Sequence, residues 1–461
     1  MQSNSKNIRI MKKGKVSKAL LTLGIPIIIG MLINCSYNVI DAYFTSTLGI
    51  NQVGAISVIF PLIMAISGIG IGIGAGAGSY ISRLLGKKDD YKANITASTA
   101  VCSSIIAGIV ITIFTIAFLD KILLAIGATE TILPFAKEYG SIYISFSVLS
   151  ILNITMNNIM AAQGEGKISM TAMIIGAIAN TILAPIFIFE LNLGIKGAAI
   201  ATVIAQGITS SFYVWYAVSK SYLRISIHNI SFQKEICIET LKVGVPTILF
   251  TLLSSTSVGL INIKASMYGS EQVAAMGIVT RVFAIATHIV FGYSKGLQPI
   301  VGYNYGAKNY KRLNEIMKVS LIQATVFCFI ATTLMIICSN QIMSIFSNDY
   351  LVKNTGNLAL KVNGIAFLTF GIQMVFATFF LSLGKGREGG ILSICRQGIM
   401  FIPVILILPS LIGFNGVIYS QAIADLLTTI LTIIFAFDLV KKLKNLQYER
   451  MNLNIMSKDY I

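Results

Sequence analysis

The run from Leu21 to Gly49, LTLGIPIIIGMLINCSYNVIDAYFTSTLG, is almost wholly apolar and carries one charged residue, Asp41. A helix needs about 20 residues to cross the hydrocarbon core of a bilayer, so this run is long enough to span it. In lipid every backbone polar group must be satisfied within the protein, and an unbroken apolar run without alternation does so as a helix. Comparable runs follow at 52–80, 93–119, 134–162, 168–189, 195–219, 237–263, 273–300, 315–340, 356–383, 389–411 and 415–440. The expectation is an all-α integral membrane protein of about twelve transmembrane helices. Composition agrees: 11% of residues are charged, against about 25% in a soluble domain.

The formal net charge of +17 does not point to nucleic acid, because the basic residues are dispersed among short loops. Arg83, Lys87, Lys88 and Lys92 share one loop. Lys167, then Lys220, Arg224 and Lys234, then Lys308, Lys311 and Arg312, then Lys385 and Arg387 occupy every second loop thereafter. The alternate loops hold only Lys121, Lys137, Lys196, Lys353 and Lys361. This bias places the richer loops and both termini in the cytoplasm of a protein in the cell membrane. Residues 1–18 are basic and polar, but the apolar run behind them is too long for a signal peptide and shows no cleavage site, so an uncleaved first helix is expected.

Several chemistries lack their residues. The six cysteines (35, 102, 237, 328, 338, 395) form no C-x-x-C pair and read as packed free thiols, and His228 and His288 have no metal-ligand spacing. Glycine alternates from Gly68 to Gly78 in GIGIGIGAGAG, but without a strand–turn–helix context this is no dinucleotide turn. It reads as close helix packing with a flexible helix end. Gly-Lys at 86–87 and 384–385 lacks the following Ser or Thr of a phosphate-binding loop. No catalytic constellation is present, so neither an enzyme nor a bound cofactor is expected.

The chain repeats itself. Gly24 and Pro26 recur as Gly244 and Pro246, and 244 − 24 = 220. The same offset links Gly49 to Gly269, Gly72 to Gly292, Gly76 to Gly296, Gly86 to Gly306 and Gly164 to Gly384. Two pseudo-symmetric six-helix lobes follow: an N-terminal lobe over 1–219, a cytoplasmic linker over 220–235, and a C-terminal lobe over 236–461 with a basic cytoplasmic tail. An even helix count per lobe makes the repeats parallel, with a cavity between them.

Within the first span Asn34, Tyr37, Asn38, Asp41 and Thr45 fall three and four residues apart, on one helical face. A carboxylate inside a membrane helix costs at least roughly 2.5 kcal/mol, so it faces a polar cavity unless it reaches the headgroups from the helix end. The polar stripe favours a proton or cation site. Asn153 and Asn157 lie one turn apart on the fourth span, Asn180 on the fifth and Thr202 on the sixth. Taken singly, each Asn reads equally well as a hydrogen bond between helices. In the second half Lys264, Arg281, Lys295 and Arg396 fall in or near spans, with Asp425 as a partner for Lys295 or Arg396. Met156, Met173, Phe283 and Phe291 read either as packing or as the lining of an adaptable pocket.

GLQPIVGYNYGAKNYKR (296–312), its first-half counterpart after GIGAGAGSYISRLLGKKD, SICRQGIMFIPVILILP (393–409), NTILAPIFIF (180–189) and Asp425 together resemble the MATE (multidrug and toxic compound extrusion) family, in its bacterial efflux branch. The resemblance covers essentially the whole chain. It implies export of amphipathic, often cationic small-molecule drugs, coupled to H+ or Na+, by a membrane-embedded monomer. It also implies that Asn180 and Thr202 join Asp41 as the cation or proton site. Asn34, Tyr37, Asn153, Asn157, Met173 and Lys295 then serve as the substrate or supporting polar pocket. The rival within the same superfamily is a flippase for lipids or lipid-linked oligosaccharides, which needs a strongly basic cavity. One departure matters. Many members carry Asp before the proline of the fifth span, and here that residue is Ala184. Loss of a second acid disfavours sodium more than a proton, since a hard cation wants several oxygen ligands. Pro26 is the candidate hinge of the first span.

Overall fold

Helices account for nearly all of the chain, and no strand occurs among the described residues. The computed structural model describes residues 2–456, with the side chains of residues 7–37, 39–450 and 452. The side chain of Asn38 and residues 457–461 of the expected C-terminal lobe lie outside the described residues. The order is α1 (Gln2–Lys13), α2 (Val16–Ser46), α3 (Ile50–Lys87), α4 (Asp90–Ala117), α5 (Leu119–Ala125), α6 (Leu133–Ser145), α7 (Ser147–Ala162), α8 (Gly166–Pro185) and α9 (Gly194–Ser219). After a linker come α10 (Lys234–Ser266), α11 (Ser270–Gly306), α12 (Tyr310–Ile337), α13 (Ser339–Phe346), α14 (Tyr350–Ser382), α15 (Gly386–Ile394), α16 (Phe401–Ile412) and α17 (Phe414–Met456). Among the described residues eleven helical stretches are long and apolar enough to cross a membrane, and α6 with α7, bent by 53° at their break, makes a twelfth if the pair is one span. The spans fall where expected, in two six-span lobes, but several helices run on beyond the apolar stretch: α3 to Lys87, α11 to Gly306 and α17 to Met456, so part of the expected basic tail is helical.

The repeat extends to backbone geometry. The tight links after α2 and α10 turn on Gly49 (φ 125°) and Gly269 (φ 129°). A side chain at this φ would be strained, so the link requires glycine. Lys88 and Lys308, 220 residues apart, both sit in the left-handed region just past a helix end. Asp89 and Asn309, the next matched pair, cap α4 and α12 by accepting from the backbone N–H of Lys92 and Arg312.

Two spans also pass through a π-helical turn. α8 runs through Pro185 into a π-helical turn, Ile186–Glu190, and a second π turn, Cys395–Ile399, separates α15 from α16. Such turns shift the helical register and re-aim side chains. The basic amino-terminal segment also contributes a helix, α1. Its Met11 is fully buried, and its carbonyl accepts from Asn304 and Arg312 of the second lobe.

Glycine builds the contact between lobes. Gly68, Gly72 and Gly76 of α3 face α10, while Gly70, Gly74 and Gly78 face α7, so the alternating run is two stripes on one helix. A methyl group on Gly244 would lie 2.8 Å from the Gly72 carbonyl oxygen. The symmetry-related pairing sets Gly292 and Gly296 of α11 against Ile28 and Gly24 of α2; a methyl on Gly292 would lie 2.7 Å from Ile28 Cα. Backbones therefore touch directly, as small residues permit in membrane helix packing. α3 stays helical through this run to Lys87, in place of the expected flexible end.

At the basic end the same seam is held by polar groups. Arg83 Nη1 pairs with Glu239 Oε2 at 2.7 Å, and Lys92 Nζ with Glu235 Oε2 at 3.0 Å. Tyr80 donates to Glu235 at 2.8 Å, and Ser79 to the Leu381 carbonyl at 2.6 Å. The lobes are thus closed against each other at the end that carries the basic loops.

Candidate functional site

α2 carries Asp41 into a pocket within the first lobe, completed by α6, α8 and α9. Asn180 Nδ2 of α8 donates to Thr202 Oγ1 of α9 at 3.0 Å, and Thr202 donates onward to the Ala198 carbonyl at 3.0 Å. The phenol groups of Tyr37 and Tyr139 both approach Thr202, and both feel the charge of Asp41. Tyr139 and Tyr143, one turn apart on α6, stack with ring centroids 6.1 Å apart. Asp41 Oδ1 is buried and has no hydrogen-bond partner among the described residues. Thr45 does not supply one, because its hydroxyl donates to the backbone carbonyls of Asp41 and Ala42. The result is a buried carboxylate oxygen with unused acceptor capacity, beside neutral hydroxyls and a carboxamide. Such a group can take up a proton or a small cation.

A polar column continues from this pocket along α9. Tyr143 reaches Ser150 and Gln206. Asn153 Nδ2 donates to the Gln206 carbonyl at 2.9 Å, and Asn153 Oδ1 accepts from the Ser210 hydroxyl at 2.8 Å. Asn157 Nδ2 donates to the Tyr213 hydroxyl at 2.9 Å. Lys295 Nζ, from α11 of the other lobe, donates to Asn157 Oδ1 at 3.2 Å. Thr202, Gln206, Ser210 and Tyr213 recur at helical spacing, so one face of α9 presents the column.

The structure thus brings Asp41, Tyr37, Asn180 and Thr202 together. It places Asn153, Asn157 and Lys295 farther along α9, on partners other than Asp41. Asn34 is exposed on α2. Met173 packs into the α2–α8 seam at Gly30, and Met156 is buried beside Tyr213. Phe283 and Phe291 make edge-to-face contacts with Phe367 and Phe370. Ala184 is fully buried and apolar.

Sequence reading missed Tyr139, Tyr143 and Gln206. The signal for the tyrosines was a pair of phenols four residues apart inside a span, which an apolar run disguises.

In the second lobe Arg396 takes Asp425. Nη2 donates to Oδ2 at 3.3 Å. Nε lies 2.9 Å from Oδ1, but its N–H is not aimed along that line and is left without a hydrogen bond. Gln421 adds a donor to Oδ1 at 2.9 Å, and the guanidinium sits 4.3 Å from the Phe370 ring centre. The π turn Cys395–Ile399 carries Arg396 into this site.

The MatE family model matches residues 26–186 and again 246–407, starts that differ by 246 − 26 = 220. The multidrug export protein MepA of Staphylococcus haemolyticus is 30% identical over 434 residues, covering 94% of this chain and 96% of that one. MepA of Staphylococcus aureus strain NCTC 8325 is 29% identical over 428 residues, covering 92% and 94%. Among solved structures, the outward-facing conformation of a multidrug resistance MATE family transporter of the MOP superfamily superimposes with a TM-score of 0.90 at 26% identity, over 95% of this chain and 99% of that one. A MOP superfamily transporter from Pyrococcus furiosus, whose reversed pocket polarity suggests a different function, superimposes with a TM-score of 0.89 at 25% identity, over 95% and 99%.

Proposed function

The chain belongs to the MatE family of multidrug and toxic compound extrusion transporters, and from that premise we propose that it is a proton-coupled antiporter that exports amphipathic, often cationic drugs. It is a multi-pass membrane transporter and not an enzyme. The observation that carries the coupling assignment is the buried Asp41 Oδ1, which has no donor among the described residues. Deprotonated, Asp41 holds a negative charge while the cavity faces the cytoplasm and a cationic drug binds. Protonation from outside removes that charge and weakens drug retention. Each ligand then shifts one two-state equilibrium between facings, which is what coupling requires. The termini and the linker 220–235 face the cytoplasm on the loop-charge argument, and the protein works as a monomer.

The neutrality of the pocket supports a proton over sodium. Thr202 already accepts from Asn180 and donates to Ala198, and Ala184 offers no second carboxylate. A sodium ion would have to trade its water shell for several oxygens with the single formal charge of Asp41 among them, whereas one proton suffices to neutralise that charge. The flippase alternative gains no support, since Arg396 is neutralised by Asp425 and Lys295 is the one basic residue that meets the polar column among the described residues.

The test is drug-dye efflux from everted vesicles carrying Asp41→Asn, which keeps the shape but not the charge. Efflux is expected to fall to the vector background with normal expression. Uphill efflux at the wild-type rate would remove Asp41 from the mechanism. In proteoliposomes a pH gradient should drive transport, and drug transport on a sodium gradient alone would overturn the ion assignment.

A further inference from the structure

At the basic end, between α2 and the start of α8, lies an open cavity of about 540 Å³ lined by Lys15, Ser17, Lys18, Leu21, Thr22, Ile25, Pro26 and Lys167. Its two ends differ in chemistry. Lys15, Lys18, Thr22 and Ile25 recur at spacings of three and four along α2, so the lysines and the apolar positions share a stripe. Lys167 joins them from the first turn of α8. The helices are close there, since a methyl group on Gly166 would lie 2.8 Å from the Leu23 carbonyl oxygen.

Three ammonium groups therefore converge on the mouth, and no acid lines the cavity. Lys92, Lys137, Lys196, Lys242 and Lys442 each pair with a carboxylate, whereas Lys15, Lys18 and Lys167 have no acid partner among the described residues. The neighbouring acid, Glu165, turns away toward Asn7 and Tyr216. Below the lysines the floor is apolar and open sideways: Leu21 is 41% exposed and Ile25 45% exposed.

We propose that this groove binds an anionic phospholipid, its phosphate held by Lys15, Lys18 and Lys167 and one acyl chain lying along Leu21, Ile25 and Pro26. Basic pockets between membrane helices suit anionic headgroups. The apolar floor decides between a lipid and a soluble anion, because a free phosphate would leave that floor unused. The lysine cluster decides between lipid classes. A zwitterionic headgroup brings its own cation against the three ammonium groups, whereas phosphatidylglycerol brings none.

The experiment incubates the full-length protein, purified in detergent, with equal amounts of phosphatidylglycerol and phosphatidylcholine, and measures retained lipid by native mass spectrometry. Wild type should retain phosphatidylglycerol in preference to phosphatidylcholine. Each lysine removed should weaken retention about fivefold, so a variant combining Lys15→Gln, Lys18→Gln and Lys167→Gln should lose roughly a hundredfold. The corresponding Arg variant should keep the preference, and so should Lys137→Gln with Lys196→Gln at the other end of the molecule. Folding of each variant is read from its size-exclusion profile. Equal retention by wild type and the triple Gln variant would overturn the site, as would a wild type without headgroup preference. Displacement of the lipid by millimolar inorganic phosphate would also overturn it, by assigning the lysines to a soluble anion.

Discussion

Replacing Arg396 with Met tests whether the ion pair in the second lobe is structural. Met keeps an apolar stem of similar length and removes the charge. Asp425 is 3% exposed and would lose contacts at 2.9 and 3.3 Å, keeping the neutral donor Gln421 at 2.9 Å. Removing one partner of a buried pair costs about 3–5 kcal/mol, because the other charge stays buried and unpaired. Adding Asp425→Asn removes that orphaned charge, so the double variant should regain most of the loss, a coupling of roughly 3 kcal/mol. With an unfolding entropy of about 2.1 cal/mol/K per residue and 461 residues, roughly 1 °C follows each kcal/mol. The single variant should therefore melt roughly 3–5 °C lower. The assay is loss of the size-exclusion peak of detergent-purified protein after stepped heating, for wild type, both single variants and the double. A drop below about 1 °C for Arg396→Met, or a double variant no more stable than the single, would refute the reasoning.

Burial holds the Glu165 carboxyl above the ordinary value of 4.5, against the opposing pull of Asn7 and Tyr216. A raised value means that Glu165 favours the fold when protonated, below pH 4.5, and that this advantage is lost as pH rises through the folded value. Glu165→Gln should therefore melt higher than wild type near neutral pH and the same below pH 4.5; an unchanged difference across that range would contradict this. His228→Cys, in the otherwise cysteine-free variant, should resist an impermeant thiol reagent added to intact cells and react in everted vesicles. Ready labelling from outside would reverse the topology.

The spans were legible because nothing competes with an unbroken apolar run, and the 220-residue offset matched Gly49 to Gly269, which the structure then shows as paired turns. The amino-terminal helix α1 was not, since its sequence is polar and what holds it is the burial of Met11 and the hydrogen bonds its carbonyl accepts from Asn304 and Arg312, hundreds of residues away. The bend at the α6–α7 break and the two π turns have no strong local signal, because tertiary packing sets them. Of the candidate site, Asp41, Asn180 and Thr202 stood out as polar residues within apolar runs. Tyr139 and Tyr143 did not, because a tyrosine shows its hydroxyl only when its facing is known. The choice of Asp425 between Lys295 and Arg396 rested on which helix faces which, and the π turn at Cys395–Ile399 decided it.

The glycine seam sets how the lobes can part. Contacts between bare backbones have no long side chains that stretch to follow a receding partner. Dispersion attraction between atoms at contact loses a quarter to a half of its strength over a gap of about 0.5–1 Å. Where Gly72 meets Gly244, and Gly292 and Gly296 meet α2, the grip is therefore full at touch and largely gone within an ångström. A seam of this kind behaves as a snap rather than a spring, with an abrupt release and little energy to be had from half-open positions.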